Sequence, residues 1–333
     1  MASVVVFAPS PVLSIVIEDR SGLPDVHVHP GGQGVWQARM LRSLGVDVTL
    51  CSAFGGETGR ILQHLIADEN LPVRAVEGTF HNGAYVHDRR DGERTEIVEH
   101  GGEPLPRHVL DELYGLMITE ALDADVVILS GPAESALGVI DADVYRRLAS
   151  DLRSNGCRVV ADLSGDRMSA VLAGGVDILK VSHTELLDDK RATDDSVETL
   201  LKAMRQLRAE GAESVILSRA HDPALLMTGD TIHEVHTPYL EPADSRGAGD
   251  SLTAGIAASL AKGQPITEAV RLGAAAGALN VTRHGLGTGH PDAIARLAER
   301  VELRPLRPTP AATVIPAVTV TPADLASQVK THE

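Results

Sequence analysis

Aromatic residues are scarce in this chain: Phe, Trp and Tyr together supply 2% of its 333 residues, and there is a single Trp. The core must therefore be built from Ala, Val, Leu and Ile, which favours buried parallel strands covered by helices over an aromatic-rich β-sandwich. Cysteine is nearly absent as well. Cys51 and Cys157 are too few for a disulfide framework and too isolated for a zinc site, so they read as small core residues in a reducing cytoplasm. Basic charge is in deficit, with 30 Lys and Arg against 46 Asp and Glu and a net charge of −16. No basic cluster interrupts that balance, so neither nucleic acid nor an anionic membrane surface is an expected partner. No apolar run approaches the length of a membrane span. The opening Met1-Ala2-Ser3-Val4 lacks a basic n-region, so no signal peptide is expected and the location is predicted to be cytoplasmic.

What is present is an alternation. Short apolar runs of strand character recur at Val4–Phe7, Val46–Leu50, Asp125–Leu129, Arg158–Ala161, Asp177–Val181 and Ser214–Leu217. Between most of them lie segments with apolar residues at three- and four-residue spacing, among them Gln37–Leu44, Ile61–Ile66, Val144–Leu152 and Val197–Leu207. Strand–helix alternation predicts right-handed βαβ units and an α/β fold with a mostly parallel sheet buried on both faces. Two stretches, about 11–29 and 73–98, instead show alternating residues and turn signals such as Asp91-Gly92, and are expected to stand outside the main sheet. From 304 to 333 the chain is rich in Pro, Thr and Ala, which predicts a weakly ordered tail with a short helix near Ala323–Val329. Residues 1–303 are expected to form one domain.

The segment Asp244-Ser245-Arg246-Gly247-Ala248-Gly249-Asp250 runs into a helix of small residues that continues to about Leu260. First-turn amides of a helix are unpaired and carry the positive end of its dipole. Glycine lets the backbone approach phosphate oxygens closely, so Gly247, Ala248 and Gly249 are candidates for an anion hole. Asp250 stands at the mouth of that hole, placed to accept the proton of an attacking hydroxyl. A second glycine turn, Gly31-Gly32-Gln33-Gly34-Val35-Trp36, opens the helix that ends at Leu44-Gly45, and Phe54-Gly55-Gly56 follows the next strand. His27 and His29 alternate on one predicted strand, but with His81, His87 and His100 they offer no close-spaced set of three, so no structural zinc is expected.

These segments resemble the two signatures of the PfkB-type, ribokinase-like carbohydrate kinases, nearest the phosphofructokinase-like branch, and the resemblance runs from about Val4 to Val301. It implies a three-layer fold with a small β-lid, a cytoplasmic enzyme dimerising through that lid, ATP as phosphate donor, Mg2+ as cofactor, and a sugar or sugar phosphate as acceptor. By the same resemblance Asp250 is the base, with Gly247, Ala248 and Gly249 as the anion hole. Gly31, Gly32, Trp36, Ser14 and Ser130 fall at sugar-binding positions. Lys180, Ser182, Ser218, Ala220, Asn280 and Gly285 fall on the nucleotide side, and Glu185 falls at the metal. The pattern has departures. Ser14 replaces an Asp, Trp36 and Ser182 replace Asn, and Phe80 follows Thr79 where the branch carries a phosphate-binding Arg. Arg89, Arg90 and Arg94 either replace that arginine or form an exposed lid surface with Asp88, Asp91 and Glu93. Trp36 either stacks on a ligand or fills the pocket. The implied activity is that of a phosphosugar kinase. Two alternatives stay open: a kinase for an unphosphorylated sugar or nucleoside, and a catalytically weak relative that binds a nucleotide or sugar.

Overall fold

The computed structural model describes residues 2–132, 134–283 and 285–306. Ten strands form the central sheet, in the spatial order Val73–Gly78, Asp47–Gly55, Ser3–Phe7, Val126–Ser130, Val159–Asp162, Val176–Ser182, Ala212–Arg219, Asp222–Thr228, Thr231–His236 and Glu302–Pro305. The first seven run parallel and the last three add antiparallel at one edge. Alternate side chains of one strand feed opposite layers. Val4 and Val6 join the core that includes the helices Gln33–Ser43, Ala248–Ala261 and Ile266–Asn280. Val5 and Phe7 join the core on the other face, beneath Arg107–Ala121, Ala142–Ser154 and Val197–Glu210. The protein thus has the three-layer, ribokinase-like α/β architecture that its strand–helix alternation and motifs predict.

Local sequence accounts for the helices. Ala142–Ser154 buries Val144, Tyr145, Leu148, Ala149 and Leu152 along one stripe, and Asp141 caps it by accepting from the Asp143 amide at 2.8 Å. Ala248–Ala261 is buried on nearly every side. Its run of Ala, Ser, Thr and Gly lets neighbouring backbones come close without large side chains, in keeping with the scarcity of aromatics.

A second sheet of four strands, Leu23–Gly31, Val12–Arg20, Asn82–Asp88 and Thr95–Gly102, forms the lid. Two boundaries differ from the sequence expectation. Val73–Gly78 lies in the main sheet, parallel to Asp47–Gly55, because its alternating pattern suits a half-covered edge strand as well as a lid strand. Arg304 and Pro305 belong to the last strand, which pairs with Thr231–His236. The rest of the proline-rich stretch, with the helix expected at Ala323–Val329, lies outside the described residues. No described helix is long and apolar enough to cross a membrane.

Candidate active site

Helix Ala248–Ala261 starts where the sheet's parallel strands end. Gly247 precedes it with φ 70°, a left-handed conformation that turns the chain sharply into the helix and that a side chain would oppose. No side chain caps this helix start, so its first-turn amides are open to a ligand. Gly249 is required by close approach: a Cβ there would stand 2.6 Å from Lys180 Nζ.

Beneath this turn lies a buried network. Asp162 ends the strand Val159–Asp162 and is 1% exposed. Its carboxylate accepts from Lys180 Nζ at 3.0 Å, Thr253 Oγ1 at 2.7 Å and Gln37 Nε2 at 3.2 Å. The other end of the Gln37 amide accepts from Ser130 Oγ. The Ser130 carbonyl in turn receives the Tyr145 hydroxyl at 3.0 Å. Burial pushes the Asp162 carboxyl up while Lys180 pulls it down. The three donors converging on it are the environment of a carboxylate. Burial pulls Lys180 down, but Asp162, Glu185 and Asp250 outweigh it and raise the ammonium above its ordinary range.

Asp250 sits 8% exposed in the first turn of the same helix. Burial and the neighbouring Asp162 carboxylate push it up to about 8, against the opposing pull of Lys180. A carboxyl group poised near neutral pH is suited to exchanging a proton with a hydroxyl. It opens into a cavity of about 1110 Å³ whose wall includes Gly32, Gln33, Trp36, Tyr85, Gly131 and Glu185.

The structure thus brings Gly32, Trp36, Glu185 and Asp250 to one cavity, with Lys180 and Ser130 sealed just behind it. Gly31 is buried at the end of a lid strand. Ser14 lies in the lid ladder between His29 and Tyr85, and of these three only Tyr85 lines the cavity. Ser182 and Ser218 are register partners at the ends of neighbouring parallel strands. Ser182 caps helix His183–Asp188 in a reciprocal box with Glu185, so its hydroxyl is engaged within the protein. Ala220 adopts φ 46° in an exposed turn, and Gly285 lies in the loop after Ile266–Asn280.

Three placements correct the sequence expectation. Asn280 is fully buried and does not line the cavity. Its amide donates to Arg246 O at 2.7 Å and accepts from Gly287 N at 2.9 Å, tying together the loops on either side of the helix. Arg90 is held by Asp88 on the exposed lid, and Arg89 pairs with Asp244 at 3.3 Å. Neither guanidinium lines the cavity, because each is satisfied by an acid close to where it emerges. Three residues of the site escaped the sequence reading: Gln33, Gln37 and Thr253. Asp162 is legible as the acid that opens the turn Asp162-Leu163-Ser164-Gly165 at a strand end, where open α/β sheets place ligands.

Glu185 fits a hydrated Mg2+. Its Oε2 accepts from Ser182 N at 2.6 Å and Ser182 Oγ at 2.7 Å, which fixes the carboxylate at the cavity wall. Among the described residues no group of three or more His, Cys, Asp or Glu is arranged to cage a metal.

An open helix start carrying a buried acid, at the C-terminal edge of a ribokinase-like sheet and under a lid, defines a phosphotransferase acting on an alcohol group. The model of the pfkB family carbohydrate kinases matches residues 13–293, and the chain belongs to that family. It is 30% identical over 263 residues to 1-phosphofructokinase of Bacillus subtilis, covering 78% of this chain and 84% of that protein. It is 29% identical over 266 residues to the ATP-dependent 6-phosphofructokinase isozyme 2 of Escherichia coli, covering 77% and 82%. The crystal structure of Escherichia coli phosphofructokinase-2 in complex with potassium superposes with a TM-score of 0.80 at 25% identity, covering 90% of this chain and 99% of that one. The ribokinase of Arabidopsis thaliana, solved with ribose and ATP, shares the fold at a TM-score of 0.71 and 21% identity, over 90% and 99% of the two chains.

Proposed function

We propose that this protein transfers the γ-phosphate of ATP to a hydroxyl of a phosphorylated sugar, as the names of its phosphofructokinase relatives suggest, with Asp250 as the base. The observation that carries the reading is Asp250 itself. It is buried at an open helix start, pushed up to about 8, and turned into the cavity shared with Gly32 and Trp36.

In this mechanism the acceptor hydroxyl lies in the cavity beside Asp250, which takes its proton as the oxygen attacks. The amides of Gly247, Ala248 and Gly249 receive the charge that develops on the transferred phosphoryl group. Lys180 is too enclosed by Asp162 to follow a substrate, and its ammonium stands directly beneath Gly249. Mg2+, held through Glu185 and water, would neutralise phosphate charge when bound. Ser182, Ser218, Ala220 and Gly285 mark the nucleotide side.

Phe80 favours a second reading. It is 2% exposed within the hydrophobic core, so no cation stands at that position to select a phosphosugar, and an unphosphorylated sugar or nucleoside becomes the alternative acceptor. The test is ATP-dependent ADP release against sugars, sugar phosphates and nucleosides, run beside Asp250→Asn. Turnover on a sugar phosphate that the variant loses supports the reading, and turnover confined to an unphosphorylated compound selects the alternative. Nucleotide binding without turnover on any acceptor defeats both.

A homodimer through the lid belongs to the same proposal. One lid face pairs Val28 with Ile15 and Val86 with Val98, and Val26, Val28 and Val98 are 57%, 40% and 50% exposed. The protein is proposed to act in the cytoplasm.

A further inference from the structure

Arg89 directly follows the lid strand Asn82–Asp88, and its amide donates to Ile17 O at 2.7 Å, which fixes its backbone to the neighbouring lid strand. Its guanidinium leaves the lid. Nη1 lies 3.3 Å from Asp244 Oδ2, and the two side chains are 15% and 7% exposed. Among the described residues this is the one ion pair that joins the lid strands and the turns between them to the rest of the protein.

Asp244 holds the loop that enters the anion hole. Its Oδ1 accepts from the Arg246 amide at 3.1 Å and from Arg246 Nε at 3.0 Å, and its Oδ2 accepts from Arg246 Nη2 at 2.6 Å. The amide of Asp244 donates to Val281 O at 3.0 Å, and Arg246 O accepts from the Asn280 amide at 2.7 Å. The next residue is Gly247, whose left-handed backbone turns the chain into the open start of helix Ala248–Ala261. A carboxylate that the lid reaches therefore fixes the backbone just before the proposed phosphate-receiving amides.

Arg89 is not needed to satisfy Asp244, which Arg246 already engages within the same loop through both carboxylate oxygens. Enclosing a second guanidinium there costs solvation, and an arginine at the tip of a lid could stay in water. What the pair adds is a connection between two elements far apart in the chain. The lid strand that ends at Arg89 also supplies Tyr85 to the wall of the Asp250 cavity, so one strand meets the cavity at Tyr85 and the Asp244 loop at its end.

We infer that Arg89 is a positioning residue for phosphoryl transfer: acting through Asp244, it couples the lid strand that walls the cavity to the turn at Gly247 that receives the phosphate. The inference rests on the proposed kinase reading for the reaction, but its structural half is read without turnover.

The experiment compares the wild-type protein with Arg89→Met, Arg89→Lys, Asp244→Asn and the double variant Arg89→Met/Asp244→Asn. The first measurement is hydrogen exchange at the Arg246 amide, followed by NMR without ligand. Arg89→Met is expected to speed that exchange about 10-fold, the worth of one charge-assisted hydrogen bond, and Arg89→Lys by less. The second is steady-state kinetics on the acceptor that the panel selects. Arg89→Met should lower kcat about 10-fold and leave the acceptor KM unchanged, because the amides act on charge that develops during transfer. Adding Arg89→Met to Asp244→Asn should then change little further. Unchanged exchange at Arg246 overturns the inference. So does a loss carried by KM alone, a wild-type kcat in Arg89→Met, or additive losses in the double variant. If Arg89→Met does not fold, Arg89→Lys decides by the same two readings. Faster exchange in a protein that consumes no ATP would sustain the coupling of lid and turn and defeat the kinase reading.

Discussion

Lys180 Nζ lies 3.0 Å from Asp162 Oδ1, and this buried pair forms the floor beneath the turn that carries Asp250. The two residues come from neighbouring parallel strands and are register partners in the ladder, so the sheet itself sets their separation. Asp250 reaches them from a helix much later in the chain. Its proton affinity is set by its burial and by an ion pair belonging to another part of the sequence.

Removing one member of that pair leaves the other charged and unsatisfied. Lys180→Met is expected to cost about 3–5 kcal/mol in urea unfolding, and Asp162→Asn in the same molecule should recover part of it. Lys180 also pulls Asp250 down, so Lys180→Met should move the alkaline rise in activity to higher pH. A Lys180→Met protein as stable as wild type would show that the pair carries no such role.

Asp250 makes opposing demands on activity and stability as pH changes. As a base it must be ionised, so kcat/KM is expected to rise with pH and level off above about 8. Stability runs the other way. The folded carboxyl titrates near 8 and the unfolded one near 3.8, so the folded state holds the extra proton between those values. Its contribution is complete below the lower value and is lost as pH rises through the upper one, by up to about 1.4 kcal/mol per pH unit. Asp250→Asn should abolish that slope and unfold at higher urea than wild type at pH 8. Its turnover should fall by about 10²- to 10⁴-fold. A variant whose stability follows the wild-type pH curve would refute the burial argument.

Ala220 holds φ 46° in the turn between the strands Ala212–Arg219 and Asp222–Thr228, a conformation that costs a residue with a side chain about 1–2 kcal/mol. Ala220→Gly is expected to raise the melting temperature by a few degrees for a gain of about 1 kcal/mol. An unchanged or lower melting temperature would place the strain elsewhere.

The outer lid face gives a prediction about assembly. Val26→Glu with Val28→Glu puts two charges on the half-exposed apolar face and is expected to turn a dimer into a monomer in sedimentation velocity. A sedimentation coefficient unchanged by the pair would place the interface on another surface.

Much of this architecture is legible in the sequence. Gly247, Gly249 and Asp250 declare the open helix start because helix starts and close backbone approach are local properties of the chain. The parallel strands are legible because strands buried on both faces are apolar throughout. The antiparallel edge is not, since Asp222–Thr228 and Thr231–His236 are half-covered and mix polar with apolar residues. Val73–Gly78 reads as a lid strand for the same reason: alternation gives a strand its exposed face but not its sheet.

By itself, the sequence determined the fold class, the family and the open helix start at Asp250, because each rests on spacing within a few residues. The tertiary structure decided which groups share a space. It joined Asp162, Lys180, Thr253 and Gln37 under Asp250, engaged Asn280 between two loops, and paired Arg89 and Arg90 with acids. Burial and neighbouring charge set what an ionisable group does, and both are properties of residues brought together from distant parts of the chain.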